Sequence, residues 1–100
     1  MKYEEINLGI IGAGSWGLNH IKSASSILGG NLKYICDLSE TSERELKKAG
    51  ISTKFTTNVN DLLYNKSINS VIISSSAESH FALAKKSLKA GKNVLVEKPF

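Results

Sequence analysis

Three glycines within six residues, Gly12-Ala13-Gly14-Ser15-Trp16-Gly17, stand directly after the apolar run at 6–11 and directly before a stretch of helical spacing. In such a loop the first glycine lets the chain leave a strand sharply, and the second lets the main chain approach a ligand closely. The third lets the new helix pack tightly on the strand. The N–H groups that open that helix have no partner within it, so with Ser15 and Trp16 in the first turn they form a cradle for anionic phosphates. About twenty residues on, Asp37 closes a second apolar run, Leu32–Cys36, where its carboxylate can accept hydrogen bonds from both hydroxyls of a ribose. Strand, glycine loop, helix, strand and acid in this order make a dinucleotide-binding fingerprint. The competing reading is a glycine turn followed by a solvated aspartate, and it leaves the order unexplained. Asp37 predicts NAD over NADP: it would face a 2′-phosphate with like charge, and Leu38, Ser39 and Glu40 bring no arginine to offset it.

The alternation continues along the chain. Strand-like runs at 6–11, 32–36, 53–56, 70–74 and 93–97 are separated by segments of helical spacing at 15–28, 40–49, 58–64 and the residues after Ser75. In the first helix Leu18, Ile21 and Leu28 share a face, with Ala24 or Ser25 between them; in the second, Leu46 and Ala49 point inward. Asn58 is a candidate N-cap with Asp61 three residues on, and Ser75 with Glu78 is a candidate capping box. Ala77, Phe81, Ala84 and Leu88 form the inward stripe of the last helix, while Gly50 and Gly91 supply stops. Near-continuous apolar strands joined through helices predict an α/β fold. It is a doubly wound parallel sheet of the Rossmann type, in strand order 3-2-1-4-5, with both faces covered.

Length and composition bound the reading. One hundred residues make at most one domain, burying somewhat over ~60% of the unfolded chain's surface, and 41% hydrophobic residues suffice for a core. The net charge of +4 is spread along the chain and interleaved with acids, as in Glu43-Arg44-Glu45-Leu46-Lys47-Lys48, so no basic stripe for nucleic acid emerges. The opening Met1-Lys2-Tyr3-Glu4-Glu5 is acidic where a signal peptide is basic, and no apolar run reaches the ~18 residues of a membrane span. The expected address is cytoplasmic. Cys36, the single cysteine, reads as a small buried hydrophobe whose pKa Asp37 raises. No His, Cys and carboxylate spacing points to a metal.

Two segments together resemble the Gfo/Idh/MocA oxidoreductases. One is Gly9-Ile10-Ile11-Gly12-Ala13-Gly14-Ser15-Trp16-Gly17. The other runs from Val71-Ile72-Ile73 to His80 and on through Ala90-Gly91-Lys92-Asn93-Val94-Leu95-Val96-Glu97-Lys98-Pro99. Glu-Lys-Pro after a strand is that family's most specific mark. Trp16-Gly17 followed by Asn19, and Ala77-x-Ser79-His80, look most like members that oxidise nucleotide-linked sugars. Ser75-Ser76 departs from the family's usual Thr-Pro; Ser76 takes a first-turn position that suits proline without requiring it.

The resemblance implies an NAD-dependent dehydrogenase acting on a ring hydroxyl of a sugar, nucleotide sugar or cyclitol. It puts Gly12, Gly14, Ser15, Trp16, Gly17, Asp37, Ser74, Ser75 and His80 on the cofactor. Glu97 would hydrogen-bond the nicotinamide ribose. Lys98 would be the catalytic group at the reacting oxygen, where its charge stabilises the developing alkoxide. Without the resemblance, Glu97 and Lys98 read as an exposed strand-end ion pair. Trp16 either covers the pyrophosphate or packs on a neighbouring loop, and His80 orders the loop or sits on the cofactor side.

The same family carries a second α/β domain that supplies most of the substrate pocket, the oligomer interface and an acid–histidine pair. The expectation is that residues 1–100 are most of the NAD-binding domain, incomplete on its C-terminal side, as an excerpt or a natural truncation. A non-catalytic dinucleotide-binding module is the alternative, and a module that docks partners along its unfinished sheet edge is a third reading.

Overall fold

Parallel strands bury both of their faces, so their side chains must find partners above and below the sheet. The computed structural model describes residues 6–12, 21–23, 26, 31–74 and 77–96, with the backbone alone for 77–80 and 96. Its elements are β1 (Leu8–Ile11), β2 (Leu32–Cys36), α1 (Thr41–Lys48), β3 (Lys54–Thr56), α2 (Val59–Leu63), β4 (Ser70–Ile73), α3 (Ala77–Lys89) and β5 (Asn93–Val96). Residues 21–23, between β1 and β2, are also helical. The five strands form one sheet in the order β3-β2-β1-β4-β5, every pair parallel, which is the Rossmann arrangement the alternation predicts.

The two-residue period of the strands divides the core in two. Leu8 and Ile10 join Ile21, Leu32, Ile35, Leu46 and Ile51 on one face. Ile11, Cys36, Val71 and Ile73 join Leu62, Leu63 and Ile68 on the other. Each fully buried Ile or Leu contributes roughly 1.5–3 kcal/mol. Leu32 and Ile35 share a face although three residues apart, because the pairing steps from Leu8↔Leu32 to Gly9↔Tyr34 and skips Lys33. That bulge resets the phase of β2 before the strand reaches its carboxyl end.

Three local expectations are corrected. Ala49 is exposed, since α1 buries only Leu46. Asn58 caps α2 by accepting from the Asn60 N–H at 3.0 Å, but Asp61 completes no capping box; its Oδ2 instead accepts from Thr56 Oγ1 at 2.6 Å. In α3 the apolar letters mislead: Phe81 is 78% exposed and Leu88 is 62% exposed, while Leu83, Ala84 and Ser87 face the core. Ser87 tolerates full burial because its hydroxyl donates to the Leu83 carbonyl one turn back, at 2.7 Å. Gly50 and Gly91 do end their helices, with φ of 81° and 79°.

A buried lysine holds the opposite end of the sheet. Lys92, 8% exposed, donates from Nζ to the carbonyls of Asn65, at 2.8 Å, and Ile68. It thereby satisfies the chain that leaves α2 with a cation, the favoured charge at a helix C-terminus. Burial lowers its pKa from the ordinary lysine value.

Gly9 sets how closely α2 approaches the sheet. A Cβ at this position would lie 2.8 Å from both Cγ and Cδ2 of Leu62, which is fully buried. Gly9→Ala is therefore expected to cost about 1–3 kcal/mol, read as a lower urea midpoint. Adding Leu62→Ala should cost less than the sum of the two single changes, because the smaller side chain relieves the clash.

Candidate dinucleotide site

Each strand that reaches the site carries its ladder one residue further. The Gly12 N–H donates to the Cys36 carbonyl at 2.7 Å, the Asp37 N–H to the Thr56 carbonyl at 3.1 Å, and the Ser74 N–H to the Ile11 carbonyl at 2.7 Å. These three bonds put Gly12, Asp37 and Ser74, all expected on the cofactor, at one level along the carboxyl edge. Open α/β sheets bind their ligands there. Gly12 adopts φ 101°, a conformation open to glycine and strained for other residues, and turns the chain out of β1.

The three residues border a cavity of about 750 Å³ between α2 and α3. Ile11, Cys36, Val59, Ala82 and Leu83 give it an apolar lining, and Thr57, Asn58, Asn60 and Lys86 add polar groups. Its volume lies within the ~300–1,000 Å³ usual for small-molecule sites. Leu38, beside Asp37 and 91% exposed, lies on the rim. An apolar side chain held so far into solvent offers a face for a flat ring.

The polar groups fit a nucleoside. The Ser74 hydroxyl is buried and has no hydrogen-bond partner among the described residues, as has the Asn60 side-chain oxygen. Groups left in that state cost about 1–3 kcal/mol each unless a ligand or water reaches them. The Asp37 carboxylate is half-buried, and its Oδ2 accepts a hydrogen bond from the Ser42 hydroxyl. Gly14, Ser15, Trp16, Gly17, Ser75, Glu97 and Lys98 lie outside the described residues, as does the side chain of His80, whose backbone belongs to α3.

Sequence reasoning missed Ser42, the 57–60 segment and Lys86. The last two reach the cavity only through tertiary packing. Ser42 carried a faint signal, a hydroxyl five residues beyond the acid at the start of a helix. Among the described residues no group of three or more His, Cys, Asp or Glu side chains could hold a metal, and no helix is long and apolar enough to cross a membrane.

Comparison with known proteins decides the family. Residues 6–100 match the oxidoreductase family with an NAD-binding Rossmann fold named Gfo/Idh/MocA. The chain belongs to that family. Inositol 2-dehydrogenase of Salmonella typhimurium is 32% identical over 94% of the chain, and inositol 2-dehydrogenase 2 of Paenarthrobacter aurescens has the same identity and coverage. The chain spans 29% and 28% of their respective lengths. Among solved structures, GenD2 from gentamicin A biosynthesis, in complex with NAD, superposes with a TM-score of 0.82 at 25% identity, covering 94% of this chain and 27% of its own. Apo scyllo-inositol dehydrogenase of Lactobacillus casei gives 0.81 at 27% identity, covering 99% and 30%. The NAD-binding Rossmann domain of the Gfo/Idh/MocA oxidoreductases is thus the unit these residues build.

Cys36 lines the cavity as a buried, free thiol. Burial first, then the charges of Asp37 and Asp61, push its thiol up from 9.0 to about 11. Between those values the folded chain holds a proton that the unfolded chain has lost. Stability is therefore expected to fall as pH rises from 9 to 11, by at most about 2–3 kcal/mol. Urea titrations across that range should show the slope in the native sequence and a smaller one in Cys36→Ala. At pH 7 the native thiol should resist iodoacetamide.

Proposed function

We propose that this chain holds NAD for a dehydrogenase that oxidises a ring hydroxyl of a cyclitol or sugar. The observation that carries the reading is the meeting of Gly12, Asp37 and Ser74 on one rim of the cavity, with the Ser74 hydroxyl unpartnered among the described residues. In this reading Asp37 accepts hydrogen bonds from the adenosine ribose, Leu38 lies against the base, and the Ser74 hydroxyl donates to the bound nucleotide. Gly12 delivers the chain to the phosphate loop of Gly14, Ser15, Trp16 and Gly17. Ser75 and His80 complete the cofactor side.

Bound NAD supplies a hydride acceptor. The chain's part in the reaction is to fix the cofactor and to set charge at the reacting oxygen, and the proposal gives these tasks to Glu97 and Lys98. Glu97 holds the second ribose. Lys98 donates a hydrogen bond to the alcohol oxygen, so negative charge growing there as the carbon gives up hydride meets a fixed cation. The acid–histidine pair that the resemblance gives to the family's second domain would take the proton of the alcohol oxygen. A ring secondary alcohol is common to inositols and nucleotide sugars. The inositol dehydrogenases among the relatives favour a free cyclitol, whereas Trp16-Gly17 followed by Asn19, with Ala77-x-Ser79-His80, favours a nucleotide-linked sugar.

Titration of the chain with the two cofactors is the direct test. NAD should bind more tightly than NADP, and Asp37→Ala should bring the two affinities together, since like charges ~4 Å apart repel by up to ~4 kcal/mol at an effective dielectric near 20. Equal affinities in the native chain would end the ribose assignment. In any form of the protein that turns over substrate, Lys98→Ala should lower kcat by about a hundredfold or more while NAD affinity changes little. Near-normal turnover in that variant would remove Lys98 from the chemistry.

A further inference from the structure

Asp37 is held from two sides. Its main-chain N–H is tied to β3 through the Thr56 carbonyl, and its carboxylate is tied to α1 through the Ser42 hydroxyl, which donates to Oδ2. The intervening loop is built to bring Ser42 back to the acid. Ser39 Oγ accepts from the Thr41 N–H at 3.2 Å, and the Ser39 carbonyl accepts from the Ser42 N–H at 3.1 Å. Ser42 is half-buried in the first turn of α1, so its hydroxyl is held in place.

We propose that Ser42 is a positioning residue for cofactor choice, fixing the Asp37 carboxylate in the orientation that accepts a ribose diol and resists a 2′-phosphate. The inference rests on the ribose role given to Asp37 above. A carboxylate offers about four lone-pair sites, so one bond from Ser42 leaves capacity for both ribose hydroxyls. A side chain already held in its binding rotamer loses less freedom when the ligand arrives. NADP would fit best if the carboxylate swung away from its 2′-phosphate, and that swing must break the bond from Ser42. The hydroxyl therefore favours NAD and penalises NADP through one contact, without touching either.

The test is the ratio of NADP to NAD dissociation constants, measured on the chain by titration for the native sequence, Ser42→Ala, Ser42→Thr and Asp37→Ala. A loss of folded fraction weakens both cofactors by the same factor and cancels in the ratio, so a merely structural role for Ser42 leaves it unmoved. The ratio should fall about three- to tenfold in Ser42→Ala, the size expected for losing an ordinary hydrogen bond, and should stay near native in Ser42→Thr. Should Ser42→Ala not fold, Ser42→Cys, close in volume and a weak donor, should show the same fall. An unchanged or increased ratio in the Ala or Cys variant, while Asp37→Ala still lowers it, would overturn the role of Ser42 and leave that of Asp37 intact. If Asp37→Ala itself fails to lower the ratio, the ribose reading falls and takes this inference with it.

Discussion

The parallel register of β1 with its two neighbours is the constraint on which everything else in this chain depends. Ile11 lies opposite Cys36 on one side and Ile73 on the other, so Gly12, Asp37 and Ser74 leave the sheet together. A one-residue slip of β2 would turn its side chains over and send Ile35 and Cys36 into the wrong cores. The hydrophobic layers that fix the register thus also fix the site. Two cores on opposite faces make the slip doubly unfavourable, because each strand has something to lose above and below.

Much of this was legible before any coordinates. Near-continuous apolar strands with glycine stops predict the parallel sheet and its order, and the glycine loop with Asp37 predicts which edge holds a nucleotide. What was not legible depended on polar side chains satisfied at a distance. Ser87 takes a core position because its hydroxyl finds the Leu83 carbonyl, while Phe81 and Leu88 of the expected stripe are exposed. Nothing in the sequence marks Lys92 as the partner of two carbonyls from the α2–β4 connection. Spacing alone matches Asp61 to a helix cap, whereas its carboxylate accepts from the Thr56 hydroxyl.

The site shows the same division. Single residues with strong backbone or charge requirements, Gly12 and Asp37, announce themselves in sequence. The cavity wall does not, because Asn60 and Lys86 come from two helices, α2 packed on β2 and β3 and α3 packed on β4 and β5, that only the fold brings to one cavity. Leu38 is informative in hindsight: a leucine with nine-tenths of its surface exposed is poorly explained by the fold, and it stands beside the acid on the cavity rim.

The bulge in β2 has a bearing on how such a domain changes over time. The skipped residue, Lys33, lies on the entry side of the strand, upstream of every pairing that positions the rim. A residue gained or lost in the connection before β2 can be absorbed by lengthening or erasing that irregularity, while Tyr34, Ile35 and Cys36 keep their partners. The strand thus contains its own length buffer, and drift in the sequence that precedes it need not reach the nucleotide edge.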